Sequence, residues 1–165
     1  MTPQIGSMAS GLVIQRLTAP AGVNAALAAF TQGTFPLLPF DARQIRTANI
    51  APDLAGKSNT VRYPAANVYC EKIANTQAEK FRTFSGRIQM AIDLWHSEDR
   101  LEHVQSNLEL YVDAVMGMLD ASPGDWGGGM YYAGGYQVAF GPVKHGGKNF
   151  IQTAKITFEI GVSIS

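Results

Sequence analysis

The apolar positions of this chain change period from segment to segment, and the periods predict its elements. Between Phe84 and His96, Ile88, Met90, Ile92 and Leu94 alternate with Arg87, Gln89 and Asp93. A period of two is that of a strand with one face in a core. Ala91 and Trp95 share the second face with the polar residues, so that face is either wet or meets a partner. Upstream, NVYCEKI at Asn67–Ile73 is compatible with another strand, and the polar ANTQAEKFR between the two predicts a hairpin with an extended loop.

The period switches in SEDRLEHVQSNLELYVDAVMGMLDASPG, where Leu101, Val104, Leu108, Val112, Val115 and Leu119 recur at three and four residues. That spacing predicts a helix with one stripe against a sheet. Ser97 or Asp99 is expected to cap its start, Glu98 and Asp99 suit the positive end of its dipole, and Pro123-Gly124 end it. PAGVNAALAAFTQ, from Pro20 to Gln32, predicts a shorter helix with Val23, Leu27 and Phe30 on one stripe and Gly33 as the stop. Leu12–Leu17 is too short a run to separate a strand from a lead-in turn. Thr34–Asn59 holds three prolines and no sustained period, which predicts a long, partly irregular connection. Such a stretch is either a functional arm or binding loop, or an ordinary loop packed on its own domain.

The C-terminal part returns to alternation. Tyr136, Val138 and Phe140 alternate with Gln137 and Ala139, and Ile156, Phe158, Ile160, Val162 and Ile164 alternate with Thr157, Glu159, Gly161 and Ser163. A hairpin through Gly141 to Asn149 is expected to join them. The expected fold is therefore α+β: a mostly antiparallel four-stranded sheet packed by helices, in the order α-β-β-α-β-β with long loops. The 165 residues suit a single domain, with an N-terminal helix and long loop over 1–66 and a strand-strand-helix-strand-strand core over 67–165.

Composition narrows the function classes. With 46% apolar and 16% charged residues the chain is expected to fold. Thirteen basic residues balance thirteen acidic ones, so there is no electrostatic footprint for tight nucleic-acid binding, and a low net charge permits self-association. Cys70 is the single cysteine and has no internal disulfide partner, which suits a reducing cytosol. The N-terminus lacks a basic region followed by an apolar segment, and no run of about 18 apolar residues occurs, so a soluble, non-exported chain without a membrane span is expected.

The glycine-rich stretch GDWGGGMYYAGGYQVAFGPVKHGGKNF is the first place to look for chemistry. A phosphate-binding loop needs G-x-x-x-x-G-K-[ST] leading into a helix, whose N-terminal N–H groups hold the phosphate. Here the spacing differs, Asn149 stands where the hydroxyl belongs, and an alternating strand follows. His96, Glu98, Asp99 and His103 cluster at a strand-to-helix junction, but no HExxH pattern or fourth ligand accompanies them, so a solvated helix start is expected and no metal. His145 falls in the glycine turn and is expected to be exposed. Cys70 reads as a small residue in a strand without a base beside it, and Ser85 and Ser97 lie in no G-x-S-x-G elbow. No catalytic residue and no cofactor is expected. Trp126, Met130, Tyr131, Tyr132 and Tyr136 interleave with glycine, which reads as a flexible arm with aromatic anchors, the alternative being a loop folded back on the sheet.

From Asn67 to the C-terminus the order of elements resembles the tail terminator proteins of long-tailed bacteriophages and the related neck proteins. The resemblance rests on FRTFSGRIQMAIDLWHS, the helix EDRLEHVQSNLELYVDAVMGML directly after it, the glycine-aromatic segment and the terminal NFIQTAKITFEIGVSIS. It implies a structural virion protein without catalytic residues, assembled in the host cytoplasm. Six copies would form a ring that caps the tail tube and meets the head connector, and DNA would slide through without sequence-specific binding. The balanced charge fits passage, since a basic lumen would hold the DNA. Ring closure needs two different surfaces of each copy to meet. The candidates are Arg87, Gln89, Asp93 and Trp95 on the two-faced strand, Trp126, Met130, Tyr131 and Tyr132 in the aromatic arm, and the long loop. A head-tail adaptor or stopper, or a tube-like subunit, uses a similar core with long arms. A small metal- or ligand-binding enzyme domain at His96 and His103 is the reading from a different class.

Overall fold

The computed structural model describes residues 4–30, 37–50 and 62–165. Its architecture overturns the four-stranded expectation: among the described residues, three helices pack on a curled eight-stranded sheet. The helices are α1 (Ile5–Leu17), α2 (Val23–Phe30) and α3 (Leu101–Asp120). The strands are β1 (Ile45–Thr47), β2 (Ala65–Asn75), β3 (Phe84–Glu98), β4 (Gly124–Gly127), β5 (Met130–Tyr132), β6 (Gln137–Phe140), β7 (Lys144–Gly146) and β8 (Asn149–Ile164). They lie in the order β1-β2-β3-β8-β5-β4, with β6 and β7 also paired to β8. Among the described strands only β1 runs parallel to its neighbour, Ile45 standing opposite Ala66.

The long strands are those the alternation predicts. β2 and β3 form the expected hairpin, and β3 pairs antiparallel with β8 from Phe84 opposite Ile164 to Glu98 opposite Phe150. Ile88, Met90, Ile92 and Leu94 of β3, with Ile156, Phe158, Ile160 and Val162 of β8, are buried on the face that carries the helices. The stripe of α3 packs there from Val104 to Leu119, while Leu101 stays exposed. The predicted cap of α3 is corrected: β3 continues through Glu98, so Ser97 is still in the ladder opposite Ile151. Arg100 occupies the cap position with no side-chain hydrogen bond.

Helix α1 takes the place of the expected strand or turn at Leu12–Leu17. Ile5, Ala9, Val13 and Leu17 recur every fourth residue and are buried against β1 and β2. Within the helix predicted at Pro20–Gln32, α2 buries Val23 and Leu27, but Phe30 remains exposed. The described part of the long connection packs on its own domain. The Asn24 carboxamide bonds both backbone groups of Phe40, at 2.9 and 2.8 Å, and the Tyr111 hydroxyl donates to the Leu38 carbonyl at 2.8 Å. The remainder of Thr34–Asn59 lies outside the described residues. No described helix is long and apolar enough to cross a membrane.

The aromatic arm is also corrected. β4 and β5 form a hairpin against the end of β8, turned by Gly127, Gly128 and Gly129, all at left-handed φ. A Cβ on Gly129 would lie 2.2 Å from the Ser163 carbonyl oxygen, so only glycine lets this turn approach the strand. Trp126, Met130 and Tyr132 are buried. Trp126 stacks with Tyr132 and Phe158 at centroid distances of 5.3 and 6.2 Å, donates its indole N–H to the Ser122 carbonyl at 2.8 Å and receives the Arg16 guanidinium on its face. Burial of this much aromatic surface outweighs the ordering cost of the glycines. Trp126→Ala is therefore expected to cost about 3–5 kcal/mol in urea unfolding. Tyr131→Ala, at an exposed position of the same hairpin, should stay within about 0.5 kcal/mol.

Candidate functional site

Two regions gather the polar residues that the sequence singles out. The first is the face of β2, β3 and β8 turned away from the helices. The alternation that buries Ile88 to Leu94 necessarily sends Arg87, Gln89, Ala91, Asp93 and Trp95 to the other side. Register sets them beside Glu159, Thr157, Lys155 and Thr153 of β8 and beside Tyr69 and Asn67 of β2.

Most of the charges on this face have a polar partner on it. Gln89 donates to Glu71 at 2.7 Å, Glu71 also accepts from the Lys155 ammonium, and Arg87 stands 3.6 Å from Glu159. Arg46 of β1 donates to the Asn67 side-chain oxygen at 3.0 Å. The Tyr69 hydroxyl bonds Asp93, whose carboxyl is pushed above its ordinary range by burial, with Tyr69 and Lys155 acting in the opposite sense. Lys155 is held above its usual value by its bond to Glu71. Lys72 stands opposite Gln89 on the same face, so Arg46, Lys72, Arg87 and Lys155 meet Glu71, Asp93 and Glu159, four cations to three anions.

Of the eight residues expected at a subunit interface, Arg87, Gln89, Asp93 and Tyr131 reach the surface at least in part. Trp95, Trp126, Met130 and Tyr132 are spent inside their own chain. Trp95 sits at one end of the outer face, covered by Ile50 and Tyr63 with Ala65 beside it, and its indole N–H has no hydrogen-bond partner among the described residues. Alternation placed Trp95 on the right face, but the residues that cover it come from a segment with no period to read.

The second region is a cavity of about 320 Å³ at the junction of β3 and α3, lined by Leu37, Leu38, Tyr63, His96, Glu98 and Tyr111 among others. Glu98 accepts from His96 Nε2 at 2.7 Å and from the Asn107 amide at 2.7 Å. That contact assigns the imidazole proton to Nε2 and leaves the Nδ1 lone pair buried without a partner among the described residues. The tilted ring of Tyr111 lies 5.1 Å away. Asp99 is exposed and takes no part in this network. No three His, Cys, Asp or Glu side chains converge to hold a metal ion among the described residues. Cys70 is half-buried, with its thiol pushed up by burial, a poor setting for a nucleophile. Gly146-Gly147-Lys148 forms the tight turn between β7 and β8, with Gly147 at left-handed φ and Lys148 exposed, so no helix N-terminus follows it.

Burial holds His96 below the ordinary histidine value, the Glu98 carboxylate pulling the other way without reversing it. The folded state therefore resists a proton that the unfolded chain accepts. The stability this confers is complete above the unfolded value of about 6.5 and is lost as pH falls from there toward the lowered folded value. Urea midpoints of the wild type should drop through that window, and His96→Gln should flatten the drop.

Compared with models of known protein families and with curated proteins, the chain matches none.

Proposed function

We propose that this chain is a structural virion protein of the tail terminator and neck type, forming a ring, expected to hold six copies, that ends the tail tube and meets the head connector. The observation that carries the proposal is the uncovered sheet face. Its cations stand among anions, Lys155 on Glu71 and opposite Asp93, Arg87 beside Glu159, which leaves a surface close to neutral rather than a basic one and suits a lumen wall past which DNA slides without being held. The resemblance from Asn67 onward supplies the class, and the long β2, β3 and β8 provide the continuous wall. The eight-stranded sheet with its α1 layer replaces the simpler core first expected, and the reading does not depend on that strand count. The chain acts as a subunit of the particle rather than as an enzyme.

Negative-stain electron microscopy of the purified chain, and of tails bearing it, should show rings at one end of the tube. Particles assembled without it should carry tails of uncontrolled length that fail to join heads. Tails of normal length joined to heads in its absence would sink the proposal.

A further inference from the structure

In the cavity at the junction of β3 and α3, the polar side chains have spent their donors on one another. His96 is 5% exposed, and its Nε2–H goes to Glu98 at 2.7 Å. The Asn107 amide also donates to Glu98 at 2.7 Å, and the Tyr111 hydroxyl is turned onto the Leu38 carbonyl at 2.8 Å. What remains is capacity to accept. His96 Nδ1 keeps a lone pair with no partner among the described residues. Both bonds to the carboxylate fall on Oε1, so Glu98 Oε2 is left to accept from elsewhere. The side-chain oxygen of Asn107 is a third acceptor, carried by the amide that already donates to the same carboxylate.

A buried acceptor without a donor costs free energy until something supplies one. The cavity of about 320 Å³ has room for that group, and the rings of Tyr63 and Tyr111 line it together with Leu37 and Leu38. Its charge is set by the lining. Glu98 brings a carboxylate, while burial holds His96 below the ordinary histidine value and so in its neutral form. Arg62 and Lys144 stand at the same end of the molecule but are not among the residues that line the cavity. Tyrosine faces attract a cation, most strongly where water is excluded.

We propose that this cavity binds a small primary amine as its ammonium ion, whose N–H groups donate to His96 Nδ1 and Glu98 Oε2 while its carbon body lies against Tyr63, Tyr111 and Leu37. A water molecule would meet the lone pair but leave the carboxylate without a counter-charge and the aromatic faces unused. An anion would bring further acceptors to a place that already lacks donors. The site is separate from the outer sheet face and stands whether or not the ring reading does.

Nitrogen-15 NMR of the imidazole, with benzylamine and benzoate as paired probes, tests the assignment. The two share a ring and differ in the sign of their charge, and millimolar binding is expected for molecules of this size. The His96 resonances are identified by their loss in His96→Gln. Benzylamine should move the Nδ1 resonance, which responds to hydrogen bonding at that lone pair, and should raise the melting temperature of the chain. Benzoate should do neither. Glu98→Gln keeps the shape of the side chain and should weaken benzylamine about tenfold or more, as expected when a charged partner becomes neutral. Circular dichroism checks that this variant is folded. An Nδ1 resonance that benzylamine leaves in place, or that benzoate moves equally, would overturn the proposal, and both readings come from the wild type. A folded Glu98→Gln that binds benzylamine as the wild type does would overturn it too, with water then the occupant of the cavity.

Discussion

The antiparallel pairing of β3 with β8 is the constraint from which most of the molecule follows. It runs without a register shift from Phe84 opposite Ile164 to Glu98 opposite Phe150. Because strand side chains alternate, one register decides at once which residues meet the helices and which form the outer face. A slip of β8 by one residue would bring Lys155 and Glu159 under α3 and send the aliphatic set of that strand to water. No arrangement of the helices could compensate, since buried charges without partners cost far more than the packing returns.

The outer face shows how the same constraint limits function. Register sets Asp93 opposite Lys155 and Arg87 diagonal to Glu159, so these charges arrive paired rather than becoming paired by side-chain search. The exposed pair Arg87–Glu159 contributes little to stability. Its effect is on the field: a surface wired in this way presents little net potential to a polyanion, whatever passes in front of it.

The sequence disclosed the long elements and concealed the short ones. β3, β8 and α3 carry enough residues for a period to emerge, and all three stand close to where alternation or the three-four spacing put them. β1, β5 and β7 are three residues each, too short for any period, and pairing with a long neighbour is what makes them strands. Helix α1 had a signal in Ile5, Ala9, Val13 and Leu17, but its glycines, serines and scattered apolar residues blur the stripe. The aromatic hairpin misled for another reason. Glycine content speaks to the cost of order, and only the tertiary partners Phe158 and Arg16 show that the cost is met. At the outer face Arg87, Gln89 and Asp93 were readable from period two, whereas the cavity joins residues far apart in sequence.

One edge of β8 is tiled in succession by three short strands: β5 at Gly161–Val162, β6 at Ala154–Thr157 and β7 at Asn149–Ile151. The chain leaves the ladder between β5 and β6, at 133–136, whereas after β6 Gly141 still donates to the Thr153 carbonyl at 2.8 Å and accepts from the Gln152 amide at 2.9 Å. Each tile is held by its own backbone bonds, so the first seam carries no register of its own. Residues added there would bulge outward without moving either neighbour, which makes it the place where a sheet of this design can vary in length while its opposite edge, against β3, stays fixed.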